Sequence, residues 1–369
     1  MSKDAYISRV IKSAVIIVLF AVANPTYAEL VTPSSRVSSV LNVRAEPSAS
    51  SDIVGTLALG EYAVLSDSLA RWHHIVLSDG TTGFVSKSWS ALVADIRLGT
   101  WNIKKLGHGT SKDYPAVAEI INSHFDVLTV IEVMQKSQGH PGYDALIQAL
   151  GPSWAGLVTS SPRPNTAAGD AEFYAVVYRP TILRPCEGSA GLEYFNDNDG
   201  GPDGTGNDNF VREPAFGCFE TLSESGLKGW DFVLAGYHAT WADGDTSRIA
   251  SEVGHLGDVY SAMRAAYPGE LDLFIAGDFN LVPSDLDGLV AASDMTVGTG
   301  STLNTKGERT TNLYDHLLVF DRAASEELVL KAQVLDVRGY APSPKLFYQT
   351  ISDHLPITGY FLRHAEDDD

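Results

Sequence analysis

The sequence predicts a small all-β domain followed by a larger α/β domain, on three observations. Short apolar strands separated by turn-forming residues fill residues 29–93. From residue 95 onwards, longer apolar runs alternate with segments of helical periodicity. Most of these longer runs begin or end near Asn, Glu, His or Asp. Strand ends are where a rigid sheet holds functional side chains, so the larger domain is expected to carry the chemistry.

Residues 1–28 have the pattern of a secretory signal peptide. Three basic residues precede the apolar run 14–23, and small residues lead to Ala28, after which we expect cleavage. An uncleaved membrane anchor is the alternative, although the run is short for a bilayer span. Later segments are less apolar than a membrane span requires. We therefore expect a periplasmic or secreted protein with no integral membrane segment after cleavage.

The composition is acidic, with a formal charge of −20 over 369 residues. This charge argues against a broad basic face that clings to DNA. An acidic enzyme can still act on a polyanion if metal ions and a few Arg or Lys side chains neutralise the phosphate locally.

The two cysteines of the chain are Cys186 and Cys218. In an oxidising compartment they are expected to form a disulfide, and two buried free thiols are the alternative.

The N-terminal strands resemble a bacterial SH3 domain over about Val37 to Leu92. A strand, an N-V-R-x-x-P loop and a D-G-x-x-G-F-V hairpin follow in the order of that family. The resemblance implies that residues 29–93 form an SH3-like barrel that binds cell-wall peptide or other protein segments. The alternative is a barrel that only docks on its neighbour.

The larger domain begins near residue 96, and its strands bring polar residues to one end. Apolar runs end at Asn102, Glu132, His238 and Asp278. One helix is predicted to begin at the capping segment 111–115, and another is predicted over residues 246–264. Three further strands are predicted: one begins just after Glu172, one includes Asp315, and the last follows the pair Asp353-His354.

These polar residues form an oxygen-rich set. Carboxylates and amides suit Mg²⁺, Mn²⁺ or Ca²⁺, and the sequence lacks a Cys/His cluster with zinc spacing. His238 and His354 are candidate acid–base residues, because carboxylates are available to orient them. A cation, a base and an acid are what the hydrolysis of a phosphodiester requires. Each residue alone is a weak signal, since a single histidine after a strand is more often structural.

Taken in order, the motifs resemble the endonuclease/exonuclease/phosphatase superfamily. The series is T-W-N at 100–102, the Glu of I-E-V at 132, His238, G-D-F-N at 277–280 and S-D-H-x-P at 352–356. The resemblance implies a two-sheet α/β sandwich with flanking helices over residues 96–364, preceded by the barrel and followed by an acidic tail at 365–369. It also implies a metal-dependent phosphodiesterase.

Within the superfamily the details resemble deoxyribonuclease I. Glu172 precedes F-Y-A-V-V-Y-R-P, V-R-E-P stands at 211–214, and Tyr314 precedes Asp315. The resemblance implies two histidine–carboxylate pairs, Glu172 with His238 and Asp315 with His354. The resemblance also implies that Asp278 positions the water. The implied metal ligands are Asn102, Glu132 and Asp353, helped by Asp278, and the metal is Mg²⁺ or Mn²⁺, with Ca²⁺ as a further candidate. The implied substrate-binding residues are Asn280, Arg212 and Tyr174.

Three features depart from this pattern or stand outside it. Met134 lies where the family often has a basic residue, which puts affinity for a duplex groove in doubt. His316 follows Asp315 where the family usually has Arg or Tyr; a structural role is favoured over contact with substrate. The acidic segment 196–209 is expected to be a solvated loop, with a structural Ca²⁺ site as the alternative.

The sequence therefore predicts an exported, monomeric endonuclease that hydrolyses DNA. Two alternatives remain at this stage. One is a phospholipid or inositol-phosphate phosphodiesterase of the same superfamily, which uses the same chemistry. The other is a wall-binding protein with an inactive enzyme domain, which needs a broken catalytic set.

Overall fold

The computed structural model describes residues 29–109, 111–137, 139–163, 171–197, 209–222, 228–241, 245–320 and 328–363. The predicted signal peptide, the acidic tail and residues 198–208 of the acidic segment lie outside these residues. The cleavage site and the alternative Ca²⁺ site stay predictions.

Residues 29–94 fold as seven antiparallel strands, which confirms the all-β prediction. They pair in the order β7-β1-β4-β5-β6-β2-β3. Alternate side chains point inwards and form a small apolar core that includes Val31, Val43 and Ile75. The strands are β1 (Glu29–Pro33), β2 (Val40–Arg44), β3 (Ile53–Ala58), β4 (Ala63–Ser68), β5 (Trp72–Val76), β6 (Thr82–Ser86) and the first part of β7 (Ser90–Leu106).

Strand β7 belongs to both domains. Its first residues pair with β1, and its later residues pair with strands of the larger domain. The predicted boundary between residues 93 and 96 therefore falls inside one continuous strand rather than in a connecting loop.

The larger domain holds the remaining elements of the described residues. The strands are β8 (Val127–Met134), β9 (Ala155–Val158), β10 (Glu172–Tyr178), β11 (Leu183–Pro185), β12 (Glu193–Tyr194), β13 (Ala215–Leu222), β14 (Lys228–His238), β15 (Leu273–Asp278), β16 (Ser293–Asp294), β17 (Thr296–Val297), β18 (Asp315–Val319), β19 (Leu328–Val334) and β20 (Ile357–Leu362). The helices are α1 (Tyr114–His124), α2 (Pro141–Leu150), α3 (Thr246–Val253), α4 (Leu256–Ala266), α5 (Pro283–Leu286) and α6 (Pro344–Thr350), with a 3-10 turn at Arg338–Tyr340.

These strands form two sheets that pack face to face. One sheet runs β17-β19-β20-β7-β8-β10-β9, and the other runs β11-β13-β14-β15-β18-β16 with β12 beside β13. Leu98, Phe232, Phe274 and Phe361 fill the layer between them. Helices α1, α2 and α6 cover the first sheet, and α3, α4 and α5 cover the second. The predicted two-sheet α/β sandwich is confirmed.

Helix boundaries follow local chemistry. The Asp113 side chain, within the predicted capping segment 111–115, accepts a hydrogen bond from the Ala116 amide and caps α1. The single helix predicted over residues 246–264 is wrong, because the chain breaks at Gly254 and His255 into α3 and α4. Helices in the described part of the chain are too short or too polar to cross a membrane.

Cys186 and Cys218 are joined by a disulfide, and their Cα atoms lie 5.3 Å apart. The alternative of two free thiols is therefore wrong. The bond closes a loop over a sequence separation of 32 residues, which includes the predicted acidic segment.

Candidate active site

Strand alternation explains why the polar strand ends meet. In β14, Phe232 and Leu234 point into the layer between the sheets, and the two-residue period brings His238 to the same side. In β15 the same period carries Phe274 on to Asp278. Catalytic candidates thus collect where the apolar layer between the sheets ends.

Each candidate histidine is held through Nδ1 by a buried carboxylate. Nδ1 of His238 lies 2.8 Å from Oε2 of Glu172, and Nδ1 of His354 lies 2.8 Å from Oδ2 of Asp315. A carboxylate only accepts, so each Nδ1 carries a proton and each Nε2 faces the cleft. Both predicted histidine–carboxylate pairs are present in the structure.

Asp278 stands between the two histidines. Its Oδ2 lies 3.8 Å from Nε2 of His238 and 3.5 Å from Nε2 of His354. Asn102 donates from Nδ2 to the same oxygen at 3.0 Å, and the Asn280 amide donates to Oδ1 at 3.0 Å. With only 2% of its surface exposed, the carboxylate is fixed at the centre of the site.

Backbone geometry restricts which residues can stand at the first and last positions of the G-D-F-N segment, Gly277 and Asn280. A Cβ at Gly277 would collide with the carbonyl of Tyr237 on the neighbouring strand. Asn280 has φ of 51°, in the left-handed region that Asn tolerates better than most residues. Its Nδ2 donates to the carbonyl of Ala239 at 3.0 Å, which ties the turn to the segment after His238.

Two of the predicted metal ligands, Asn102 and Glu132, lie at an irregularity in the pairing of β7 with β8. Asn102 donates from Nδ2 to Oε1 of Glu132 at 2.9 Å, and the Lys105 amide donates to Oε2 at 2.7 Å. Lys104, Lys105 and Glu132 all have positive φ, and the strand register shifts at this point. Nζ of Lys104 lies 3.0 Å from Oδ2 of Asp353. Glu132 and Asp353 thus line the cleft, and Asn102 is buried against Glu132.

The cleft has the composition of a cation site. Its volume is about 740 Å³, and the described residues that line it include four carboxylates but only two permanently charged basic side chains, Lys105 and Arg212. Atoms of Asp278, Asp315 and His354 also lie within 4.8 Å of one another, and Oδ1 of Asp315 is buried without a hydrogen-bond partner in the part of the chain that the structure describes. Oxygen donors with excess negative charge fit a hard divalent cation. The carboxylates that line the cleft are Glu132, Glu172, Asp278 and Asp353.

The three predicted substrate residues lie at different depths. Asn280 and Arg212 line the cleft. Arg212 donates from Nη2 to the carbonyl of Ala239 at 3.0 Å, and its Nη1 lies 3.5 Å from Oε1 of Glu172. Tyr174 is 2% exposed, and its hydroxyl accepts a hydrogen bond from the His238 amide at 3.1 Å. The structure therefore places Tyr174 beneath His238, and its contact with substrate stays a prediction.

The buried carboxylates raise the pKa of both histidines. Burial lowers the pKa of His354, but the charges of Asp315 and Asp278 outweigh it and raise that pKa well above its usual range. Burial also lowers the pKa of His238, but the charge and hydrogen bond of Glu172, together with the charge of Asp278, raise it above its usual value. For Glu172, burial raises the pKa, but Arg212 and His238 lower it below its usual value.

His316 has the structural position that the sequence favours. It is 0% exposed and does not line the cleft. Its Nδ1 lies 2.8 Å from Oδ2 of Asp294, and its Nε2 lies 2.9 Å from the carbonyl of Leu281 and 3.1 Å from that of Leu313.

Sequence reasoning missed several residues of the cleft wall. Trp241, Thr302, Thr310 and Asn312 line it beside the catalytic candidates. Trp241 follows His238 by three residues, and Asn312 precedes Asp315 by three, so proximity in sequence to the motifs was the available signal.

Comparison with known proteins identifies both domains. The model of the bacterial SH3 domain matches residues 39–91, and that of the Endonuclease/Exonuclease/phosphatase family matches residues 99–354. A deoxyribonuclease from Thioalkalivibrio sp. (strain K90mix) is 33% identical over 238 residues, which are 62% of this chain and 59% of that protein. The chain thus matches less than two thirds of its curated relative's length.

Solved structures share the fold. A family protein from Bacteroides thetaiotaomicron aligns with a TM-score of 0.50 at 18% identity, over 73% of this chain and 98% of that one. The mannosyl-6-phosphatase of the same organism aligns with a TM-score of 0.48 at 17% identity, over 72% of this chain and 98% of that one. From its motifs, its fold and the family model that matches most of its length, the chain belongs to the Endonuclease/Exonuclease/phosphatase family.

Proposed function

We propose that this chain is an exported, metal-dependent endonuclease that hydrolyses DNA. One observation carries the proposal: two imidazoles, each oriented by a buried carboxylate, direct Nε2 towards the same oxygen of Asp278. Such a paired arrangement suits a reaction in which one proton leaves water and another reaches a leaving oxygen.

The histidines account for both proton transfers. Hydrolysis forms a bond from water oxygen to phosphorus and breaks the bond from phosphorus to the leaving ester oxygen. Nε2 of one histidine accepts the proton of the water, and Nε2 of the other donates a proton to the leaving oxygen. Glu172 and Asp315 hold the required tautomers and stabilise the imidazolium forms. Asp278 lies between the two Nε2 atoms, where it positions the water.

Asn102, Glu132 and Asp353 would hold the divalent ion, Mg²⁺ or Mn²⁺ in the first place and Ca²⁺ as a further candidate. Enzymes of this family depend on divalent metals, and the oxygen donors of the cleft fit one. When bound, the ion neutralises the non-bridging phosphate oxygens. Arg212 and Asn280 line the same cleft and would contact the phosphate.

DNA is favoured as substrate by two independent supports. The curated relative at 33% identity is named a deoxyribonuclease. Glu172, Arg212 and the Tyr314-Asp315 pair, which resemble deoxyribonuclease I, all lie at the cleft or directly against it.

Nicking of supercoiled plasmid DNA tests the proposal. The mature protein is incubated with Mg²⁺, Mn²⁺ or Ca²⁺, with and without EDTA, beside His354→Ala and the matched variant His255→Ala. His255 is a partly exposed histidine outside the cleft. We expect metal-dependent nicking by the wild type and by His255→Ala, and its loss in His354→Ala. Hydrolysis of sphingomyelin or an inositol phosphate without any nicking would contradict it.

Export is part of the proposal and is supported by the signal-peptide pattern and by the disulfide, since disulfides persist in oxidising compartments. N-terminal sequencing of the protein recovered from periplasm or medium should begin at Glu29. Recovery of the uncleaved chain in the membrane fraction would favour the anchor instead.

We further propose that the N-terminal domain binds cell-wall peptide and that the protein is a monomer. A groove of about 350 Å³ on this domain is lined by Trp72, Trp89 and Arg36 among others. Sedimentation of the full chain with purified peptidoglycan, compared with Trp89→Ala, tests the binding. Light scattering after gel filtration tests the oligomeric state.

A further inference from the structure

The cleft exposes an aromatic pair that the proposed reaction does not use. Trp241 is 57% exposed, and its ring centroid lies 6.5 Å from that of Tyr314. Both side chains line the cleft beside His238 and His354. An indole that is exposed to water loses the free energy that burial of its apolar surface would contribute. Exposed aromatic side chains at a cleft commonly mark a binding surface.

The pair is fixed close to the reacting groups. Trp241 follows His238 by three residues, and the intervening Thr240 amide donates to Oε1 of Glu252 at 3.2 Å. Tyr314 directly precedes Asp315, and its hydroxyl accepts from Nδ2 of Asn312 at 3.1 Å. A base attached to a phosphate in the cleft would therefore lie within reach of these rings.

The charges of the cleft disfavour a duplex as the preferred substrate. Duplex recognition relies on many phosphate contacts from Lys and Arg. Here the described residues of the lining include two such side chains and four carboxylates, and Met134 stands where the family resemblance leads one to expect a basic residue. The whole chain adds a formal charge of −20. Affinity must come largely from contacts other than phosphate charge.

We infer that Trp241 and Tyr314 form an aromatic platform on which an unpaired base stacks, so that single-stranded DNA is the preferred substrate. The inference rests on the proposed nuclease function. In a duplex the faces of the bases are covered by their neighbours, whereas a single strand presents them to an aromatic ring. Stacking tolerates every base, so the platform predicts a preference for strandedness without a strong sequence preference.

The test compares kcat/KM on a single-stranded oligonucleotide and on the same sequence as a duplex, with Mg²⁺, Mn²⁺ or Ca²⁺ supplied in turn. The variants are Trp241→Ala, Trp241→Phe and the control Leu59→Ala, which removes a side chain 53% exposed in the N-terminal domain. We expect the wild type to favour the single strand. Trp241→Ala should lower kcat/KM on it about tenfold, within the range for losing one stacked base, and change duplex cleavage less than twofold. Trp241→Phe should recover most of the loss, and Leu59→Ala should match the wild type.

The outcomes separate this inference from the function on which it rests. Equal losses on both substrates in Trp241→Ala, or a wild type that favours the duplex, would overturn the platform and leave the nuclease standing. A wild type that cleaves neither DNA with any of the three metals would overturn the nuclease itself.

Discussion

The imidazole of His354 meets the carboxylate of Asp315 across 39 positions of sequence, with Nδ1 of the histidine 2.8 Å from Oδ2 of the aspartate. Asp315 is 0% exposed, so its carboxylate is shielded from water, whereas His354 is 12% exposed and lines the cleft. A buried charge is costly unless an opposite charge is paired with it. Asp315 therefore requires His354 as its partner, and the contact also fixes the orientation of the imidazole.

Replacement of this carboxylate by its amide should disable the histidine while preserving shape. In Asp315→Asn, the amide can donate a hydrogen bond to Nδ1, so the proton of the imidazole moves to Nε2 and that nitrogen can no longer act as a base. The substitution also removes the negative charge that stabilises the imidazolium. We expect kcat for DNA cleavage to fall about 10²- to 10⁴-fold with little change in KM. The matched variant Asp258→Asn affects an exposed His255–Asp258 pair and should retain wild-type kcat. A loss of less than about threefold in Asp315→Asn would contradict the assigned role.

Glu132 should be required for binding of the divalent ion. Glu132→Gln removes one anionic ligand and weakens the acceptor of the Lys105 amide. Binding of Mg²⁺ or Mn²⁺, measured by calorimetry, should weaken about 10- to 100-fold or more, and the increase in melting temperature caused by the metal should vanish. Glu46→Gln, on the surface of the N-terminal domain, should bind metal as the wild type does. Unchanged affinity in Glu132→Gln would place the metal elsewhere in the cleft.

The sequence could predict where the catalytic groups lie along the chain, because strand alternation is local. Asn102, His238 and Asp278 each follow an apolar run, and the two-residue period fixes the face to which they point. Their pairing with particular carboxylates came from the family resemblance, since it depends on the order of strands in space. The positive φ of Lys105 could not be predicted from the sequence, because its backbone amide donates to the carboxylate of Glu132, 27 residues away.

The same limit explains two features of the organisation that the sequence does not show. A shared strand at residues 90–106 cannot be read from composition, because the shift from one domain to the other changes only its pairing partners. The break between α3 and α4 does have a local signal, because Gly254 is a poor helix former. The helical periodicity of the apolar residues continues across this glycine, so the pattern predicts one helix.

His316 should act as a buried clamp for two segments of the site. Both of its ring nitrogens face only acceptors, so its stable form is the imidazolium paired with Asp294. His316→Gln leaves at least one carbonyl of Leu281 or Leu313 without a donor, and we expect the free energy of unfolding to fall by about 2–4 kcal/mol. Urea unfolding measures this, with His255→Gln as a partly exposed control that should stay within about 0.5 kcal/mol.

The contribution of His316 should also depend on pH. Burial lowers its pKa, but the hydrogen bond and charge of Asp294 raise it above 6.5 overall. Protonation then favours the folded state fully below pH 6.5, and this stabilisation is lost as pH rises through the folded-state pKa. The stability difference between wild type and His316→Gln should therefore shrink at alkaline pH. A difference that grows with pH would show that His316 is neutral when folded.

Glu252 should make the fold less stable as pH rises through neutrality. This carboxyl on α3 is 5% exposed, and burial raises its pKa to about 7, against opposing effects from Arg212 and the Thr240 amide. Its ordinary value is 4.5, so the folded state binds the proton more tightly. The stabilisation is complete below pH 4.5 and is lost as pH rises to about 7 and beyond. Between pH 5 and 8 the loss is about 2–3 kcal/mol.

Glu252→Gln isolates this effect because it keeps an acceptor for Tyr237 and Thr240 but cannot ionise. Urea unfolding from pH 5 to 8 should show the variant gaining about 2–3 kcal/mol relative to the wild type over that interval. Glu119→Gln, at an exposed position of α1, should follow the wild type at every pH. A constant difference between Glu252→Gln and wild type across the interval would mean that Glu252 titrates as it does in the unfolded chain, and that Arg212 fully offsets its burial.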